Sequence, residues 1–193
     1  MLVVSDGYQH QSDDCQTAQG RPWSIASVRC VRTRIYDPDE ITRRLAGRCF
    51  ICEMLAGNPE FRHHIVFQDN DSVAFLSKYP QLYGYVLVAP RRHVEQVSGD
   101  FTEAEYVALQ MVIYRVAEAV RRTVPTERLY ILSLGSQAAN RHVHWHIAPL
   151  PPGVPLQDQQ YAALAKLEII DLSDEDTAQL AERLRVQLTS PQS

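Results

Sequence analysis

The sequence predicts an α+β domain, a five-stranded and mainly antiparallel sheet with one long helix packed on a sheet face. Three observations predict it. Between Asn140 and Pro149, His142, His144 and His146 alternate with Val143, Trp145 and Ile147, the period of two that marks a strand with one apolar face. Runs rich in β-branched and aromatic residues at 63–68, 72–77, 85–89 and 128–134 supply four more strands. Thr102 and Glu105 form a capping box, and Tyr106, Leu109, Val112, Ile113, Val116 and Val120 follow at helical spacing, which predicts a helix over 103–123.

At 193 residues and 45% hydrophobic, the chain suffices for one sizeable core and is short for two. A formal charge of −4 with scattered arginines argues against a nucleic-acid polymer as partner and leaves a small anionic ligand open. No apolar run approaches the roughly 20 residues of a membrane helix, so no membrane partner is expected. The first residues lack a basic, then apolar, export signal, so a cytoplasmic location is expected. Four cysteines are too few for a disulfide scaffold.

Residues 1–35 read as a flexible leader, because 5–23 are dominated by Gln, Asp, Ser, Thr and Gly without a hydrophobic period. Cys15 and Cys30 lie in it without spaced partners. The domain proper is expected over 36–152. Asp37 caps a short helix with Pro38 first and Gly47 as its stop. Cys49-x-x-Cys52 follows, a spacing that suits two thiolates on one metal ion, a redox pair or two buried thiols. His63 and His64 are expected on the surface at a strand start. Asp69-Asn70-Asp71 is a hairpin turn, and 78–84 is a loop. The unbroken apolar run from Tyr85 to Ala89 belongs near the sheet centre and ends at Pro90. A loop over 135–141 leads to the histidine strand, and Pro149, Pro151, Pro152 and Pro155 end the sheet pattern. Helices over 157–167 and 174–188, the second capped by Ser173 with Asp176, make 153–193 a helical extension that covers the domain or joins a dimer.

Three imidazoles on one strand face need a reason. Alternate strand positions stand about 6.5–7 Å apart, close enough to serve neighbouring points of one ligand. Imidazole acts as nucleophile, proton carrier or metal ligand near neutral pH. A catalytic zinc held by all three is one reading, but it leaves Cys49, Cys52 and His93 unexplained.

The pattern His-φ-His-φ-His-φ-φ over 142–148 resembles the signature of the histidine-triad (HIT) superfamily of nucleotide hydrolases and transferases. Gly84-Tyr85-Val86-Leu87-Val88-Ala89-Pro90-Arg91-Arg92-His93 resembles the strand and Pro-x-x-His turn of the same family, and the likeness covers roughly 49–152. It implies a HIT-like fold, a nucleotide as small-molecule partner and a homodimer. It implies cleavage at a nucleotide α-phosphate, in a dinucleoside polyphosphate or nucleoside phosphoramidate, by a hydrolase or phosphorylase. His144 would be the nucleophile that becomes nucleotidylated, with its second ring nitrogen oriented by a backbone carbonyl, and His146 would hold the phosphate oxygens. Cys49, Cys52, His93 and His142 resemble the structural zinc site of zinc-containing bacterial HIT proteins. Ser77 stands where the family commonly has Asp or Asn on the ribose. Ala138 and Ala139 replace side chains that contact the phosphates, a role that Ser136, Gln137 or Asn140 would take over. A nucleotidyltransferase of the same superfamily and a non-catalytic nucleotide sensor are the alternatives. His146 favours the hydrolase side, because the transferase branch has Gln there.

Overall fold

The computed structural model describes residues 32–35, 37–135, 140–164 and 168–190. Most of the expected leader, with Cys15 and Cys30, lies outside the described residues, as do Ser136, Gln137, Ala138 and Ala139.

Strands β2 (Ile65–Gln68), β3 (Ser72–Leu76), β4 (Val86–Pro90), β5 (Arg128–Ser133) and β6 (Trp145–Leu150) form one sheet in the order β2-β3-β4-β6-β5, every pair antiparallel. β4 is the central strand, which explains its continuous apolar run: Val86 and Val88 enter one core, and Leu87 and Ala89 enter the other. Asp69 closes the β2–β3 hairpin by accepting from the backbone N–H groups of Asp71 (3.0 Å) and Ser72 (2.7 Å) on Oδ1.

Helix α3 (Glu103–Thr123) has both halves of its capping box in place and packs Leu109, Val112, Ile113, Val116 and Val120 on one sheet face with Val143, Trp145 and Ile147. Helix α5 (Asp174–Thr189), capped by Ser173, adds Leu180, Ala181 and Leu184 to this core, so the C-terminal extension covers the domain. The opposite face carries the second core. It is covered by α1 (Pro38–Leu45), α2 (Phe50–Leu55), the turn Pro59–Phe61 and α4 (Gln159–Leu164), through Leu45, Ile51, Met54, Phe61 and Ala163. Ala46 (φ 48°) and Gly47 (φ 78°) end α1 in a left-handed turn that delivers the chain to Cys49.

Two elements depart from expectation. β1 (Arg32–Ile35), within the expected leader, pairs antiparallel with β7 (Glu168–Asp171), where only helix was expected nearby; α4 stops at Leu164. This ribbon sits against the 78–84 loop: the Ile170 N–H donates to the Pro80 carbonyl at 2.7 Å, and the Arg34 guanidinium lies 5.7 Å from the Tyr79 ring centre. The histidine strand is also shorter than the alternation implies. Its ladder starts at Trp145, opposite Val88, because β4 ends at Pro90, which has no N–H to extend the pairing. No helix among the described residues is long and apolar enough to cross a membrane.

Candidate active site and metal centre

The histidine face is covered, contrary to the simplest reading of the alternation. His142 and His144 are each 1% exposed. The reason is α2, which lies over that face: Phe50 meets His144 edge-on at 5.9 Å, and the two cysteines of its first turn meet His142. Cys49 is the N-cap of α2, and its Sγ accepts from the Cys52 N–H at 3.5 Å, so one helix turn brings both thiols to the same side.

Around them Cys49 Sγ stands 3.5 Å from His142 Nδ1, Cys52 Sγ 3.7 Å from the same nitrogen, and Cys52 Sγ 3.3 Å from His93 Nδ1. All four ligand atoms lie within 4.8 Å of one another, and the group could hold a metal ion. The two remaining imidazole nitrogens are engaged on the far side, His142 Nε2 with the Pro90 carbonyl at 2.9 Å and His93 Nε2 with Glu95 Oε1 at 3.3 Å. Such contacts leave Nδ1 as the lone-pair nitrogen and fix each ring. Burial, then Cys49 alongside, pushes the Cys52 thiol up to about 11, a cost that a cation among the four would offset. The histidines of the triad do not form a second such group among the described residues.

His144 donates from Nδ1 to the His142 carbonyl at 2.7 Å, so Nε2 carries its lone pair. Burial lowers its pKa and keeps the ring neutral. The carbonyl of His144 in turn accepts from Ser133 Oγ of β5 at 2.9 Å, which fixes the backbone carrying the ring. His146 follows on the same face, 4.8 Å away between ring centres. Burial first, and the closeness of the His144 imidazole second, which disfavours a proton on both rings at once, hold it down to about 3. Its Nδ1 faces the Tyr85 hydroxyl at 3.1 Å.

His144 and His146 line a cavity of about 280 Å³. Of the expected substrate-binding residues, Ser77 and Asn140 line it with them, whereas Ser136 and Gln137 lie outside the described residues. The Ser77 Oγ accepts from the Tyr79 N–H at 3.1 Å and so shapes the cavity rim. His63, expected on the surface, is a cavity wall: its ring meets Phe75 at 4.9 Å and Phe50 at 5.8 Å, its Nδ1 donates to the Phe61 carbonyl at 2.6 Å, and burial lowers it to about 4. His64 points elsewhere, to Asp174 at the start of α5, 2.8 Å away. Phe50, Tyr85 and Lys78 also line the cavity without having been singled out from the sequence. The cavity thus sets an aromatic wall beside a pair of neutral imidazoles, able to hold a flat ring against the one and to attack or hydrogen-bond an anionic group with the other.

The HIT domain family matches residues 58–152. An uncharacterized HIT-like protein of Mycobacterium tuberculosis is 31% identical over 106 residues, 52% of this chain and 70% of that protein. The protein Hit of Bacillus subtilis is 26% identical over 149 residues, 75% of this chain and 97% of that one. Among solved structures, a hypothetical histidine-triad nucleotide-binding protein of Sulfolobus tokodaii superposes with a TM-score of 0.58 at 24% identity, covering 72% of this chain and 91% of its own. A Zn-bound histidine-triad family protein of Mycobacterium smegmatis does so with a TM-score of 0.56 at 21% identity, covering 73% and 93%. The sheet order, the alternate histidines and these sequence relatives agree, and the chain belongs to the HIT family.

Proposed function

We propose that this HIT protein binds a nucleotide in the cavity and cleaves it at the α-phosphate, as a hydrolase or phosphorylase that works through a nucleotidyl-histidine intermediate. The observation that carries the reading is the setting of His144: Nδ1 is committed to the His142 carbonyl at 2.7 Å, and Nε2 is left as a neutral nucleophile in a ring that lines the cavity. In the first step the Nε2 lone pair forms a bond to phosphorus while the bond from phosphorus to the leaving group breaks, and the leaving group departs with a proton taken from solvent. Water or phosphate then attacks the same phosphorus, the N–P bond breaks, an attacking water gives a proton back to solvent, and the neutral imidazole returns with its own proton still on Nδ1. His146 hydrogen-bonds the phosphate oxygens as charge moves onto them. The aromatic wall of Phe50 and His63 suits a base, and the volume of about 280 Å³ stands close to the roughly 300 Å³ at which small-molecule sites begin. Ser77 and Asn140 are the polar groups placed to meet the sugar or phosphate.

The metal is zinc in this reading, held by Cys49, Cys52, His93 and His142. Tetrahedral bonds of about 2.0–2.3 Å put neighbouring ligand atoms about 3.3–3.8 Å apart. The separations of 3.3, 3.5 and 3.7 Å fall in that range, and all four ligand atoms lie within 4.8 Å of one another, so small side-chain shifts would close them on one ion. Bound there, zinc supplies folding free energy and fixes His142, two residues before the nucleophile. The partner we propose for the chain itself is a second copy: Val107, Met111 and Tyr114 form an exposed apolar stripe on α3, and Ile131 is exposed on the open edge strand β5.

The test is incubation with nucleoside phosphoramidates, dinucleoside polyphosphates and sugar nucleotides, with and without phosphate, followed by a base quench. Release of nucleotide and an acid-labile adduct on His144 are expected. Transfer of the nucleotide to an added sugar phosphate would make the protein a transferase, and tight binding without an adduct would make it a sensor.

A further inference from the structure

Tyr85 belongs to the second core at 7% exposure, and its hydroxyl makes one hydrogen bond among the described residues, to His146 Nδ1 at 3.1 Å. The two rings meet edge to face at 5.8 Å between centres. On the opposite edge of the imidazole, His146 Nε2 is buried and has no partner among the described residues. Both side chains line the cavity.

A neutral imidazole has one N–H, so two arrangements are possible. If His146 carried its proton on Nδ1, it would donate to the tyrosine oxygen. The tyrosine O–H would then have no acceptor, and Nε2 would be a bare lone pair facing an anionic ligand. If the tyrosine donates to Nδ1, the hydroxyl proton is satisfied, and the imidazole proton sits on Nε2, where a phosphate oxygen would take it. In the ligand-free chain the first arrangement strands two groups, the tyrosine O–H and the Nε2 lone pair, whereas the second leaves only Nε2–H without a partner among the described residues, and each stranded group costs free energy. Burial pushes Tyr85 up to about 12, so its hydroxyl keeps the proton that the second arrangement needs.

We infer that Tyr85 is a positioning residue that fixes His146 as the Nε2–H tautomer and so turns the last histidine of the triad into a committed donor for a phosphate oxygen. The catalytic part of this inference rests on the proposed nucleotide chemistry; the tautomer itself does not. Long-range nitrogen–proton NMR on histidine-labelled protein reads the tautomer directly in the ligand-free chain. Nε2 of His146 should be the protonated nitrogen in the unmutated protein, and Tyr85→Phe, which keeps the ring and its packing, should give a mixture of tautomers. With a nucleoside phosphoramidate that the unmutated protein turns over, Tyr85→Phe should lower kcat about tenfold and leave KM little changed. A protonated Nδ1 in the unmutated protein, or an unaltered tautomer in Tyr85→Phe, would overturn the inference. Protein that shows Nε2–H yet turns over no nucleotide would remove the proposed chemistry and leave the tautomer assignment standing.

Discussion

Replacing His144 in two ways separates its chemistry from its structural part. Because the ring is 1% exposed and its Nδ1 donates at 2.7 Å to the His142 carbonyl, His144→Ala removes more than the proposed nucleophile. It opens a cavity against Phe50 and leaves a buried carbonyl unsatisfied, the latter alone costing about 1–3 kcal/mol. His144→Asn is the informative contrast, since its amide nitrogen stands about where Nδ1 stands and can donate to the same carbonyl, while nothing replaces Nε2. For a chain of this length 1 kcal/mol moves the melting point by about 2–4 °C. We therefore expect His144→Asn to melt roughly 2–12 °C above His144→Ala, with turnover in both lost by several orders of magnitude. Thermal unfolding followed by circular dichroism, beside single-substrate kinetics, measures both quantities. Equal melting points would refute the structural role of the Nδ1 bond, and residual activity in the asparagine variant above a few per cent would refute His144 as nucleophile.

Cys49→Ser should release zinc, measured by metal analysis of the purified protein, and lower the melting transition with it by several kcal/mol; zinc retained at one per chain would remove Cys49 from the ligand set. Stability should fall with acid. His63 and His146 are held by burial near 4 and 3 while each titrates near 6.5 when unfolded, so the unfolded chain binds the extra protons. Stability is then full above about pH 6.5 and falls by about 1.4 kcal/mol per pH unit per histidine towards the folded values. Denaturant midpoints that do not change between pH 7 and 5 would contradict this. Gly84 has φ 87°, and a Cβ there would stand 2.9 Å and 3.0 Å from the Val124 methyls. Gly84→Ala should therefore cost about 1–3 kcal/mol, and a melting point unchanged from the parent would show that the turn before Tyr85 yields freely.

Much of the fold is written in local signals. Thr102 and Glu105 name the start of α3 because a capping box is satisfied within four residues, and Tyr85–Ala89 announces a central strand because both faces of β4 are covered. The cysteines and histidines of the metal group are equally legible, since donor chemistry is a property of residue type. What could not be read is what lies over the histidine face. Alternation gives its direction, but that α2 closes it and buries His144 depends on contacts between Phe50 and residues far along the chain. His63 was missed for the same reason: at the start of β2 it looks like any exposed polar residue, and only Phe50 and Phe75 make it a wall. β1 is exposed at all four positions and carries no hydrophobic period, so its pairing with β7 has no local signature.

That pairing bears on how the chain tolerates shortening. A chain beginning at Asp37 would lack β1 and bare the N–H and C=O groups that β7 now shares with Arg32–Ile35. Beside them stand Ile169, which is buried, and Ile170, which ties β7 to the cavity rim at Pro80. An unpaired apolar edge of this kind is a template for another molecule's strand. Trimming the chain before Asp37 would thus convert an intramolecular clasp into a self-association site a few residues from the cavity that His144 and His146 line, and the expected symptom is aggregation together with a looser cavity rim.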